Sequence, residues 1–248
     1  MRLRRFLPAL LLVLFALPAP AGATSAESVE LRSAAASASA AAPAPGRVIH
    51  TRRSWQCTGA LRRYGRLPIK VVSRIPNPGR GDAIRLIGCR GDGDPKTVDL
   101  ILDVRGNGRG VGTAYDAVKV GQSSHDLVIT GRANCGRSGA IHQDAVQVMS
   151  GERIKFVRFR SGNPREHRWT CWGAGGGFFI SHVNGTRPNR VVCVRCRIAA
   201  YNQSMRVHSS VRSGARRSIF GFVRSHGIVI MREAVRPVNE RNRVIRFR

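Results

Sequence analysis

His142 and Asp144 stand two residues apart in the run His142-Gln143-Asp144-Ala145-Val146-Gln147, the most enzyme-like constellation in the sequence. On an extended segment, residues i and i+2 share a face, so the carboxylate can orient the imidazole as a general base. Arg85, Lys119, Gln147 and Arg206 supply groups that would bind a sugar carboxylate and neutralise it, making the adjacent proton acidic enough to leave. The chemistry expected is β-elimination on an acidic polysaccharide, with His142 and Asp144 catalytic and the other four substrate-binding. The competing reading of the same run is a polar turn hydrogen-bonded to its neighbours.

Asp82, Asp116 and Asp144 recur at one position of an internal pattern, so their carboxylates stack along one edge. Like charges that close need compensation, from Ca²⁺ or from Arg85 and Lys119. The alternative, which we favour, is that each Asp caps the turn entering its strand through backbone hydrogen bonds. No cofactor other than Ca²⁺ is implied. Gly-x-Ser-x-Gly, His-Glu-x-x-His and Walker sequences do not occur, and Gly106-Asn107-Gly108-Arg109-Gly110 opens no helix. Asn184-Gly185-Thr186 and Asn202-Gln203-Ser204 are acceptor-type sequons.

The elements that must hold these residues follow from self-similarity. DAIRLIG (82–88), DAVKVG (116–121), DAVQVMSG (144–151), FFISHVNG (178–185), QSMRVHS (203–209) and HGIVIM (226–231) share one pattern. Each precedes a second strand-like run: VDLILDV (98–104), HDLVITG (125–131), RIKFVRF (153–159), RVVCVRC (190–196), RSIFGFV (217–223) and NRVIRF (242–247). The anchors Ile84, Val118, Val146, Ile180, Met205 and Ile228 lie 34, 28, 34, 25 and 23 residues apart. A strand pair of this kind buries one side only and becomes stable by stacking on the coil beneath at roughly 4.8 Å. The expected fold class is all-β, a right-handed parallel β-helix (solenoid) of about six coils over 82–248, with 47–81 as a short N-terminal cap and first strand. Within the cap, Cys57 to Arg66 suggests a short helix and 67–75 a strand, followed by a turn at 76–79.

Residues 82–247 resemble the right-handed parallel β-helix proteins of the pectate-lyase-like superfamily, particularly secreted bacterial members with a His-x-Asp-x-x-Gln segment. The resemblance implies fold more than activity. The polygalacturonase arrangement is not matched, because Arg153-Ile154-Lys155 precedes Ser225-His226-Gly227 and the paired aspartates are missing.

Basic Met1–Arg5, apolar Phe6–Pro18 and small Ala21-Gly22-Ala23 read as a secretory signal peptide over 1–23. An Ala/Ser/Pro-rich spacer follows over 24–46. The chain is thus expected to be secreted and extracellular, and no later stretch reaches the roughly 20 apolar residues of a membrane span. Six cysteines in such a chain favour disulfides. Cys57 and Cys89 could fasten the cap to the first coil, and Cys135 and Cys171 could stack within bonding range. Cys193 and Cys196 occupy the places of Phe156 and Phe159 one coil earlier, so both should point inward around a bend, as buried thiols or as a strained pair.

The 42 Lys and Arg against 14 Asp and Glu give +28, nearly all of it guanidinium, and +25 without the signal peptide (39 − 14). Arginines at 153, 158, 160, 190, 195, 197, 212, 216, 217 and 224 should form an external basic stripe that attracts acidic polysaccharides or wall polymers. Nucleic acid is a poor partner for a stripe with few flat rings to stack on bases. The alternative to a lyase is a non-catalytic cell-surface or wall-associated polyanion-binding or structural protein. The final coil, uncapped in this sequence, suggests self-association through its edge.

Overall fold

The computed structural model describes residues 44–74, 82–105, 116–121, 123–135, 143–171, 176–182 and 186–248. The signal peptide, most of the spacer, the 76–79 turn, the 106–110 loop, the sequon at Asn184 and His142 lie outside them.

Alternating apolar residues, many β-branched, dictate strands, and the strands join into one parallel sheet that curls through about 307° in a solenoid-like fold. No α-helix occurs among the described residues. Three ladders run along it. The first stacks β2 (Trp55–Ala60), β4 (Ile84–Arg90), β6 (Val118–Gly121), β8 (Val146–Val148), β11 (Gly176–Ile180), β14 (Gln203–Val207) and β17 (His226–Ile230). The second stacks β1 (Arg47–Thr51), β3 (Ile69–Ser73), β5 (Leu100–Arg105), β7 (His125–Asn134), β9 (Glu152–Val157), β12 (Asn189–Val194), β15 (Gly214–Arg216) and β18 (Val238–Glu240). The third begins at the end of β7 and continues through β10 (Arg160–Ser161), β13 (Arg197–Ala200), β16 (Ile219–Phe222) and β19 (Arg243–Arg246).

The ladders start at Arg47, ahead of the 82 boundary that the repeat suggests, because β1, β2 and β3 pair in parallel with later strands, β2 through a bulge between Cys57 and Gly59. Cys57–Arg66 is not a helix. β2 carries Cys57 inward to its bond with Cys89, and only a 3-10 turn, Leu61–Tyr64, follows. Runs 217–223 and 242–247 belong to the third ladder, while β15 and β18 continue the second. The partner of Val146 is Phe178, two residues before the expected anchor Ile180. Both Phe178 and Ile180 point inward, so alternation alone does not separate the two registers.

The core consists of inward columns, Ile84-Val118-Val146-Phe178-Met205 on one side and Ile69-Leu100-Ile129-Phe156-Cys193 on the other. Phe156 meets Phe178 edge-on at 4.8 Å and Phe159 at 5.3 Å, so one aromatic trio ties the ladders together. Gly131 is required where it sits: φ is +106°, and a Cβ there would lie 2.0 Å from the Leu102 carbonyl oxygen.

Left-handed residues mark many of the bends, both at the start of second-ladder strands and where the chain passes from the second ladder to the third. Of twelve non-glycine residues with positive φ among those described, eight are arginines: 153, 158, 190, 195, 212, 217, 236 and 241. They fall into two columns, since Arg190 N–H donates to Val211 O, Arg212 N–H to Val235 O, Arg195 N–H to Arg216 O and Arg217 N–H to Glu240 O. Buried serines follow two of these corners. Ser213 Oγ accepts Val191 N–H at 3.1 Å, and Ser218 Oγ accepts Cys196 N–H at 3.0 Å, so corner amides that strand pairing leaves open are satisfied.

Candidate functional site

Arg85, Lys119, Gln147 and Arg206 occupy one outward row of the first ladder, in the order Arg85-Lys119-Gln147-Phe179-Arg206. Parallel register puts neighbours roughly 4.8 Å apart, so the row presents cations at both ends of a short polar and aromatic centre. The Arg206 guanidinium lies over the Phe179 ring at 5.4 Å, and its buried Nε has no hydrogen-bond partner. Phe179 escapes the sequence reading because anchoring the repeat on Ile180 moves it off the row.

Behind the row run the three aspartates. Asp116 N–H donates to Asp82 Oδ1 at 3.1 Å, Asp144 N–H to Asp116 Oδ1 at 2.9 Å, and Gly176 N–H to Asp144 Oδ1. Each carboxylate therefore caps the strand entry of the next coil. Asp82 and Asp116 also face the row's cations, with Arg85 Nε 3.6 Å from Asp82 and Lys119 Nζ 3.7 Å from Asp116. Asp144 is 3% exposed. Burial, reinforced by the Asp144 charge, pushes Asp116 up to about 7, and burial pushes Asp144 up to about 6. Among the described residues no group of three or more His, Cys, Asp or Glu side chains is arranged to hold a metal ion.

These carboxyls bind protons more readily folded than unfolded. Stability should therefore fall as pH rises from about 4 to about 7. Asp99, raised by burial to about 6, has the same sign. Asp126, held at about 2 by Arg153, acts oppositely but only below that window. Urea unfolding should give a lower midpoint at pH 8 than at pH 5, and Asp116→Asn, which can still accept the Asp144 N–H, should flatten the difference. A steeper dependence in Asp116→Asn would contradict this account.

The disulfides Cys57–Cys89 and Cys135–Cys171 are both formed. Cys193 and Cys196 are buried free thiols in register with Phe156 and Phe159, and the nearby Cys196 adds to the burial that raises the Cys193 thiol. The expected single basic stripe is instead several features: the two corner columns, a third-ladder row Arg132-Arg160-Arg197, and outward Arg216 on β15. Arg132 is neutralised by Asp103 at 2.6 Å, and Arg224 lies over the Tyr201 ring.

No protein-family model matches the chain, and no curated protein or solved structure matches it. No helix among the described residues is long and apolar enough to cross a membrane.

Proposed function

We propose that this chain is an exported right-handed parallel β-helix of the pectate-lyase-like type, its six repeat coils preceded by the rung that β2 opens. In this reading it holds an acidic polysaccharide along the outward row of the first ladder without cleaving it. The observation that carries the reading is the register Arg85-Lys119-Gln147-Phe179-Arg206, which presents spaced cations and a half-buried ring, with Arg206 over it, to a chain of acidic sugars. The two disulfides are compatible with export. Asp144 favours binding over catalysis, because its carboxylate is buried and engaged by the Gly176 amide.

Retention on immobilised polygalacturonate tests this. The triple variant Arg85→Ala/Lys119→Ala/Arg206→Ala should bind at least about tenfold more weakly. Removing three exposed arginines elsewhere, Arg52→Ala/Arg53→Ala/Arg63→Ala, should cost far less. Equal losses would reduce the interaction to net charge and overturn the reading. Ultraviolet absorbance of unsaturated product, with and without Ca²⁺, separates binder from lyase. Product that disappears in His142→Ala would establish the eliminase instead.

A further inference from the structure

The outer face of the second ladder carries a groove of about 450 Å³, lined by the Gly93-Asp94-Pro95 loop and by the outward row on which Val128, Lys155, Val192, Gly214 and Val238 follow one another, of which all but Gly214 line the groove. The loop is anchored. Asp99 accepts the Asp92 and Val128 amides at 2.9 and 2.8 Å, and Lys155 Nζ donates to Pro95 O at 3.4 Å. Arg153, Arg190, Arg212 and Arg216 line its sides. At the lowest rung the protein supplies its own anion, since Asp126 takes Arg153 with two hydrogen bonds at 2.5 and 2.9 Å. One and two rungs further along that column, Arg190 and Arg212 have no carboxylate partner among the described residues, and neither has Arg216. Asp94 and Glu240 also line the groove but form no ion pair with these three.

Arg190 and Arg212 sit at φ +54° and +47°, a backbone conformation they share with six other arginines of the stack. The case for a ligand therefore rests on the groove and on the side chains that line it.

We propose that this groove binds a small amphiphilic anion, an alkyl or aryl carboxylate, sulfate or phosphate monoester, with its head on Arg190 and Arg212 and its apolar body on the valines that line the groove. The site is separate from the first-ladder row, and its ligand differs from a polysaccharide in needing an apolar body. Guanidinium matches oxyanions in a two-pronged way, as the Asp126–Arg153 pair already does one rung away.

Calorimetric titration of the full chain with monomeric decyl sulfate tests the proposal. One saturable site is expected, with methyl sulfate, which lacks the tail, and decyl maltoside, which lacks the charge, each at least about tenfold weaker. Arg190→Asn/Arg212→Asn should weaken decyl sulfate at least about tenfold while keeping or raising the urea midpoint, because Asn tolerates the left-handed corner. Arg85→Ala/Lys119→Ala should leave decyl sulfate binding intact, so failure here and failure of the polysaccharide reading are distinguishable. Methyl sulfate binding as tightly as decyl sulfate, or no effect of the Arg190/Arg212 pair, overturns the proposal. So does pair-dependent binding to phosphatidylglycerol vesicles without binding of the monomeric amphiphile, an outcome that would point to a membrane surface.

Discussion

Phe156→Ala should destabilise the protein by about 3–5 kcal/mol, measured as a lower urea midpoint with little change in slope. The side chain is fully buried and meets two other rings, Phe178 from the first ladder and Phe159 at the corner leading to the third. Truncation removes the apolar surface and opens a void where three faces converge, and neighbouring rungs cannot collapse into it without breaking register. Phe156→Leu keeps most of the volume and should lose much less. The residue one rung along, Cys193, shows that the column accepts a smaller group where neighbouring residues differ. A loss below about 1 kcal/mol for the alanine variant would mean that this trio is not a well-packed centre.

The second large effect is expected from Cys57→Ala/Cys89→Ala. The bond joins β2 to β4 on adjacent rungs across 32 residues, and loss of a cross-link closing such a loop lowers stability by about 2–4 kcal/mol. Both sulfurs lie in the core, so alanine is the fitting replacement; serine would bury two hydroxyls as well. Because stacked rungs depend chiefly on their neighbours, the damage should begin at the N-terminal end. Limited proteolysis should cut first within residues 44–74 in the variant, and an unchanged cleavage pattern with an unchanged midpoint would refute the assignment.

Much of the first ladder was legible because its strands alternate cleanly. Ile84, Val118 and Val146 face inward, and that alone puts Arg85, Lys119 and Gln147 on one outward row. The slip at Ile180 arose because a shift of two residues preserves alternation, and only the intervening loop decides the register. The third ladder was hidden for a different reason. The three-residue spacing of Phe156 and Phe159 implies a bend in RIKFVRFR, which falls at Arg158, but arginine does not signal positive φ and nothing in the run shows that a separate ladder starts beyond it. Residue type suggests that Asp116 and Asp144 accept backbone amides at their own strand entries, but each accepts an amide of the next coil, and their raised proton affinity depends on a burial that type and spacing do not reveal. The groove was invisible because Pro95 and Lys155 meet across 60 residues of chain.

The arginine corners have an evolutionary corollary. Each turn of backbone brings its own bends, so duplication or excision of one unit would change the protein's length by a single step of roughly 4.8 Å and leave its cross-section alone. The extent of its cationic margins is therefore adjustable in whole increments, as graduations are added to a measuring stick.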